Sequence, residues 1–211
     1  DYHGDHGPMA VSPLIDRTPL GQALLETGRL CGYPVTDDFE NGCHEGFGLP
    51  DITTCNGRRE STSTAFLAPA RARKNLTVVT AAHVTRLETR AGRVIRVHYA
   101  RKGRSRAVEV AQEAILCGGA YASPHLLMLS GIGPADHLLS HGIQPVVDLP
   151  GVGDNLQEHP LVGSAYLSRR ELGVNRHLRA DRLTGSILSW LLTGDGLPGS
   201  FPMSGIVYYR S

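Results

Sequence analysis

The residues best suited to chemistry in this chain are a stretch of bare backbone. Cys117-Gly118-Gly119-Ala120 closes an apolar run, Ala114 to Cys117, and is followed by Ser123-Pro124 and the helix formers Leu126 to Leu129. The unit reads as strand, glycine turn, helix. Backbone N–H groups at such a turn can approach a phosphate closely, because no side chain intervenes and the helix start carries partial positive charge. The spacing is not Gly-x-Gly-x-x-Gly, so a plain tight turn between packed elements is the simpler reading of these residues alone. A second stretch, Pro150-Gly151-Val152-Gly153-Asp154-Asn155-Leu156-Gln157-Glu158-His159-Pro160, has the glycines and carboxamides of a defined loop.

Thiols and imidazoles offer less. Cys31, Cys43, Cys55 and Cys117 include no pair at the short spacing of a zinc knuckle or a redox Cys-x-x-Cys. They read as free thiols of a reducing compartment, so a cytoplasmic location is expected. The ten histidines are scattered. His3, His6 and His44 meet only if the fold brings them together, and no metal site is expected.

The elements that must position the glycine turn can be read from the pattern. Ser123 suits a helix N-cap, Pro124 the first helical position, and Gly131 the left-handed stop. The helix between them is apolar nearly all round and is expected to be buried, Leu127 included. Residues from Asn75 onward alternate with period two. A strand is expected over Leu76 to Leu87, followed by hairpins turning at Arg90-Ala91-Gly92-Arg93 and Lys102-Gly103-Arg104, which makes an antiparallel meander. Further helices are expected from Thr18-Pro19 to Cys31, over 61–73 with Phe66 and Leu67 buried, over Pro134 to Ser140, and over Leu183 to Leu192. Strands are expected over Ile143 to Leu149 and near Ile206 to Tyr209.

Composition excludes several classes. The formal net charge is +1 over 211 residues, so nothing in the bulk points to nucleic acid or a membrane surface. The arginines of the meander gather at its turns without stacking aromatics between them, which describes a solvated hairpin edge and no nucleic-acid partner. No long uncharged apolar run predicts a membrane-spanning helix. The opening residues have neither a basic segment nor an apolar core, so no signal peptide is expected.

Gly118 to Pro124, continued through Leu129-Ser130-Gly131-Ile132-Gly133-Pro134, closely resembles the second signature of the glucose–methanol–choline (GMC) oxidoreductases. Leu149 to Pro160 resembles the segment that follows it in that family. Asp37-Asp38-Phe39, Glu45-Gly46-Phe47-Gly48, Gly57-Arg58-Arg59, Asn75-Leu76-Thr77-Val78 and Trp190-Leu191-Leu192-Thr193-Gly194 are similar to members of the choline-dehydrogenase type. The resemblance covers essentially the whole chain. It implies a mixed α/β fold: part of a Rossmann-like FAD-binding domain with its antiparallel meander, plus part of a substrate-binding domain. Residues 1–74 would belong to the loop-rich substrate or cap region, 75–160 to the FAD-binding domain, and 161–211 to the start of the substrate-binding domain. Val84 would meet the adenine of FAD through its main chain. Gly118, Gly119 and Ala120 would pack near the dinucleotide.

Two family features are not found among these residues: the N-terminal Gly-x-Gly-x-x-Gly, and the C-terminal His with its His or Asn partner that takes the alcohol proton. The resemblance is therefore to an internal segment. No catalytic residue is assigned, and the chain alone is expected to be inactive, with the missing parts of the same enzyme as an expected partner. Choline-oxidising relatives carry a Glu after the His-Pro pair, where this chain has Leu161. A leucine cannot neutralise a quaternary cation, so a neutral small-molecule alcohol is the expected substrate, unless Leu161 only packs at a domain junction. The implied activity is oxidation of a CH–OH carbon by hydride transfer to flavin. A cyanohydrin lyase on the same scaffold and a non-catalytic module are the alternatives.

Overall fold

The computed structural model describes residues 3, 4, 6–14, 18–42, 44–170, 172, 174–199 and 203–210. Cys43 lies outside them. The chain forms two units, one of residues 78–163 and one of 1–77 with 164–211.

In the latter unit, β1 (Ser12–Pro13) precedes α1 (Pro19–Leu30). Thr18 has the extended backbone of an N-cap and Pro19 opens the helix, as the sequence predicts. β2 (Val35–Thr36) pairs in parallel with β3 (Gly46–Gly48). Gly28 lets α1 lie directly on that sheet, since a Cβ there would sit 2.7 Å from the Phe47 ring. β4 (Asp51–Ile52) pairs with β1, and β5 (Thr54–Cys55) makes a hairpin with β6 (Arg58–Arg59). The helix expected over 61–73 is a single π turn, Ser63–Leu67, running into α2 (Ala68–Ala70). Pro69 lacks the N–H that a regular α turn would direct at residue 65, which favours the wider turn. Ala65 takes the buried position; Phe66 is exposed and Leu67 half-buried.

The unit 78–163 begins with the meander β7 (His83–Arg90), β8 (Arg93–Arg101) and β9 (Arg104–Glu109), in the order β7-β8-β9. Both hairpins turn where expected. Ala91-Gly92 and Lys102-Gly103 have the paired positive φ of two-residue turns whose twist matches the strands. β7 starts later than the alternation suggests, because Leu76 to Ala82 face no strand to pair with. Residues 114–117 are likewise extended without a ladder, which corrects the expectation of a strand there.

α3 (Gly119–Leu129) begins five residues before the position expected from Ser123-Pro124. Gly118 is its N-cap and Pro124 lies inside it. Ser123 caps all the same, since its Oγ accepts the N–H of Gly118 at 3.1 Å. The expectation of a buried helix is not met. Leu127 is half-buried, Leu129 is exposed, and Tyr121 is 71% exposed. A helix that is apolar all round needs cover on every side, and within this unit α3 packs on β7 and the strand that follows it. Ser130, at its end, is buried. Its hydroxyl donates to the Leu126 carbonyl at 2.6 Å and accepts the N–H of Leu87 at 2.9 Å, which fixes the helix to the outer edge of β7. Gly131 then turns with φ +81°, where a Cβ would meet the Gln144 carbonyl at 2.7 Å. β10 (Ile132–Gly133), α4 (Ala135–Ser140) and β11 (Val147–Asp148) form a short parallel crossover. Only Val147–Asp148 of the strand expected over 143–149 is paired. Leu138 of α4, 1% exposed, is the core of this crossover.

The last elements complete the other unit. α5 (Ala180–Thr193) ends on Gly194 in the left-handed conformation. Trp190 Nε1 donates to the Gly57 carbonyl at 2.7 Å, and Gly194, Gly196 and Gly199 supply the close backbone approach beside it. β12 (Ile206–Tyr208) joins β3 to give the order β12-β3-β2, with Phe39 and Tyr208 in edge-to-face contact. No helix among the described residues is long and apolar enough to cross a membrane.

Candidate functional site

The glycine turn lines a cleft of about 370 Å³ inside the unit 78–163. Its walls are the start of β7, the extended segment 114–118 and the facing side of α3. Val84 and Gly118, far apart in sequence, face this same space. The lining is mostly apolar, with Val84, Leu87 and Leu126 as flat aliphatic surface and His83, Cys117, Ser123 and His125 as its polar or polarisable side chains.

A β-bulge determines how Val84 presents its backbone. Leu87 pairs with Val97 and Arg86 with His98, but Val84 pairs with Tyr99, so Thr85 is an extra residue on β7. Leu87 directs its N–H away from β8, to Ser130. In a regular strand, outward-pointing groups alternate, which would make Thr85 the next outward residue. The inserted residue reverses that phase, so the N–H and C=O of Val84 point to the open edge of the sheet. The side-chain phase reverses with it, which is why Val84 and Leu87 line one cleft. The valine side chain is 39% exposed there.

At the opposite wall the N–H of Gly118 is occupied by Ser123. Gly119 and Ala120 are the first residues of α3, where backbone N–H groups have no intrahelical acceptor. Gly119 has φ +82° with open space around its Cα, a backbone conformation that suits glycine. Both residues lie just past the cleft wall. Leu161 is not part of this group; its side chain is 96% exposed. His83, Cys117 and His125 are lining residues that sequence reasoning did not select. Cys117 was signalled by its place beside Gly118, whereas His83 and His125 depend on the bulge and on the early start of α3.

The electrostatics of the meander lie on its other face. Glu88, paired with Arg96 and next to the His98 position, lies 2.8 Å from His98 Nε2 and 3.1 Å from Arg96 Nη1. The hydrogen bond from His98, with Arg96 nearby, holds the Glu88 carboxyl below the usual glutamate range. In the other unit His3 Nε2 lies 2.9 Å from Asp38 Oδ2, which raises the imidazole and lowers the carboxyl through their mutual hydrogen bond. His44 is directed instead at the Phe39 carbonyl, 2.8 Å from its Nδ1. Cys31, Cys55 and Cys117 are exposed free thiols.

Residues 4–161 match the family model of the GMC oxidoreductases. The chain belongs to that family. Its relatives include the oxygen-dependent choline dehydrogenases of Staphylococcus xylosus, 39% identical over 210 residues, and of Chromohalobacter salexigens, 36% identical over 213 residues. Each alignment takes in 100% of this chain but 37% or 38% of the relative, so the chain spans under two-fifths of the length of these GMC proteins. Among solved GMC-type structures, pyridoxine 4-oxidase from Mesorbium loti is 34% identical with a TM-score of 0.65, covering 70% of this chain and 29% of that one. A formate oxidase variant from Aspergillus oryzae RIB40, studied for its FAD modification, has a TM-score of 0.80 at 25% identity, covering 92% of this chain and 34% of that one. The mixed helix and strand architecture is thus a partial GMC flavoprotein fold.

Proposed function

We propose that this chain is part of an FAD-dependent GMC oxidoreductase that oxidises the CH–OH group of a small neutral alcohol, and that its cleft receives the adenine end of the cofactor. The observation that carries this reading is the outward phase of Val84. A purine edge needs a donor and an acceptor side by side. The backbone N–H and C=O of Val84 offer that pair at a free sheet edge, above an apolar floor that suits a flat ring. Gly119 and Ala120, at the start of an eleven-residue helix, add unsatisfied N–H groups of the kind that favour phosphate oxygen. The residues present therefore fit an adenine nucleotide, with Val84, Gly118, Gly119 and Ala120 holding it. When bound, the flavin supplies the hydride acceptor for alcohol oxidation. This chain's own residues bind and orient; none is assigned to move the alcohol proton.

Leu161 supports a neutral substrate, since a quaternary ammonium beside it would lose water and gain no partner. The relatives and structural neighbours named above are a dehydrogenase type and oxidases, which favours oxidation over cyanohydrin cleavage. The test has two arms. Titrating the chain with AMP should shift the backbone resonances of Val84 and Gly118, and Val84→Pro, which removes the N–H, should abolish the shifts. Shifts elsewhere, or none, overturn the placement of the adenine. The complete polypeptide, mixed anaerobically with a primary alcohol, should lose its visible flavin absorbance. An unchanged spectrum with cyanide released from a cyanohydrin would instead establish the lyase.

A further inference from the structure

We propose that His137 and His141 form a two-imidazole site for a borderline divalent transition-metal ion, such as Ni²⁺ or Zn²⁺, at the C-terminal end of the crossover helix α4. The two residues are four apart and both are exposed. His137 belongs to the last turn of α4, and His141 is the C-cap that follows it. Here the rings are already together, with centroids 4.6 Å apart and planes inclined by 39°. Two ring nitrogens at about 2.0–2.1 Å from a common ion are within reach by rotation of the terminal side-chain torsions, which are broad and soft.

A hydrogen-bond chain prepares one of the ligands. Ser140 Oγ lies 2.7 Å from the carbonyl of His137, and only the hydroxyl can donate in that pair. The same oxygen lies 3.0 Å from Nδ1 of His141. With its single proton already directed at the carbonyl, the serine oxygen accepts from the ring. His141 therefore carries its proton on Nδ1 and its lone pair on Nε2, free to bind a metal. A hydrogen bond to one ring nitrogen that fixes the tautomer and frees the other is the usual support of a metal-bound histidine. Neutral imidazole pairs select nickel, copper and zinc, whereas magnesium and calcium require oxygen ligands. Among the described residues no third histidine, cysteine or carboxylate joins the pair, so water fills the other positions. An ion held here would clip the last turn of α4, whose buried side carries Leu138.

The test uses the full chain with its exposed thiols alkylated, so that cysteines do not compete for the ion. Titrated with Ni²⁺ at neutral pH, it should bind one equivalent at this site and broaden the backbone resonances of 137–141 before those of any other histidine. His137→Gln and His141→Gln should each weaken that event by on the order of a hundredfold, the usual gain from linking two binding groups. Circular dichroism of both variants should match the parent, since the side chains are exposed. Mg²⁺ should cause no broadening. Before metal is added, long-range nitrogen–proton spectra should show His141 as the Nδ1–H tautomer. Unchanged affinity in either variant, first broadening elsewhere, or an Nε2–H tautomer at His141 overturns the site.

Discussion

Glu88 stands between two donors on the solvent face of the meander. His98 Nε2 and Arg96 Nη1 both reach its carboxylate, and Arg96 extends on to Glu109 at 3.4 Å. The groups are partly exposed, so water screens them and no large energy should be assigned to the cluster. Its pH dependence nevertheless has a definite sign. The Glu88 carboxyl is held below its ordinary range, chiefly by the His98 hydrogen bond. A depressed carboxyl stabilises the folded state at pH values above its ordinary pKa of about 4.3, and that stability is lost as the pH falls toward the folded value. Glu88→Gln should therefore lower the urea midpoint at about pH 6, and the gap from the parent should be smaller at about pH 3. An equal gap at both values would mean that the charge on Glu88 plays no part. The bulged Thr85 opposite His98 belongs to the same residue scale, and there its effect is geometric: one extra residue turns the backbone of Val84 outward.

At the scale of the element, the crossover around α4 shows how a short helix is held. Six residues form too few turns to be stable alone, so packing must supply the difference. Leu138 is 1% exposed, and the Asp148 carboxylate accepts the N–H of Ala135 at 3.0 Å. Leu138→Ala should cost about 2–5 kcal/mol, the range for a buried leucine, read from thermal or urea melts; Leu127→Ala, at a half-buried position, should cost less. Legibility also varies from element to element. The hairpin turns at Ala91-Gly92 and Lys102-Gly103 were readable because a two-residue turn has its own local chemistry. α1 was readable from Thr18-Pro19, which opens it. α3 was misplaced because Ser123-Pro124 mimics a helix start, while the true N-cap, Gly118, has no capping side chain. The glycine turn and Val84 could be named from the motif, but their meeting in one cleft depends on the Thr85 bulge and on Ser130. Neither leaves a periodic signal, since both are set by long-range pairing.

At the scale of the whole molecule, each unit buries little by itself. The buried apolar side chains among the described residues are Leu14, Phe39 and Ala65 in one unit and Leu87 and Leu138 in the other. The pyrophosphate-binding glycine motif of the family is not among these 211 residues, so the chain alone should not keep FAD through dialysis; a preparation that stays yellow would contradict this. Substrate choice is then a property of the complete enzyme, and we propose that Leu161 is where this chain bears on it. The side chain is 96% exposed and carries no charge. A trimethylammonium group brought against leucine gives up hydration without gaining a partner, whereas a neutral alcohol gives up much less. The complete enzyme should therefore show a higher kcat/KM for a neutral primary alcohol than for choline. Leu161→Glu should raise the choline-to-alcohol ratio, because an opposite charge within about 4–6 Å favours the cation. High salt should shrink that gain if the new carboxylate acts through space at a wet site. A parent enzyme that already prefers choline would mean that the headgroup is bound by other residues. A ratio unmoved by the substitution would mean that Leu161 packs against a neighbouring part of the enzyme and does not face the substrate.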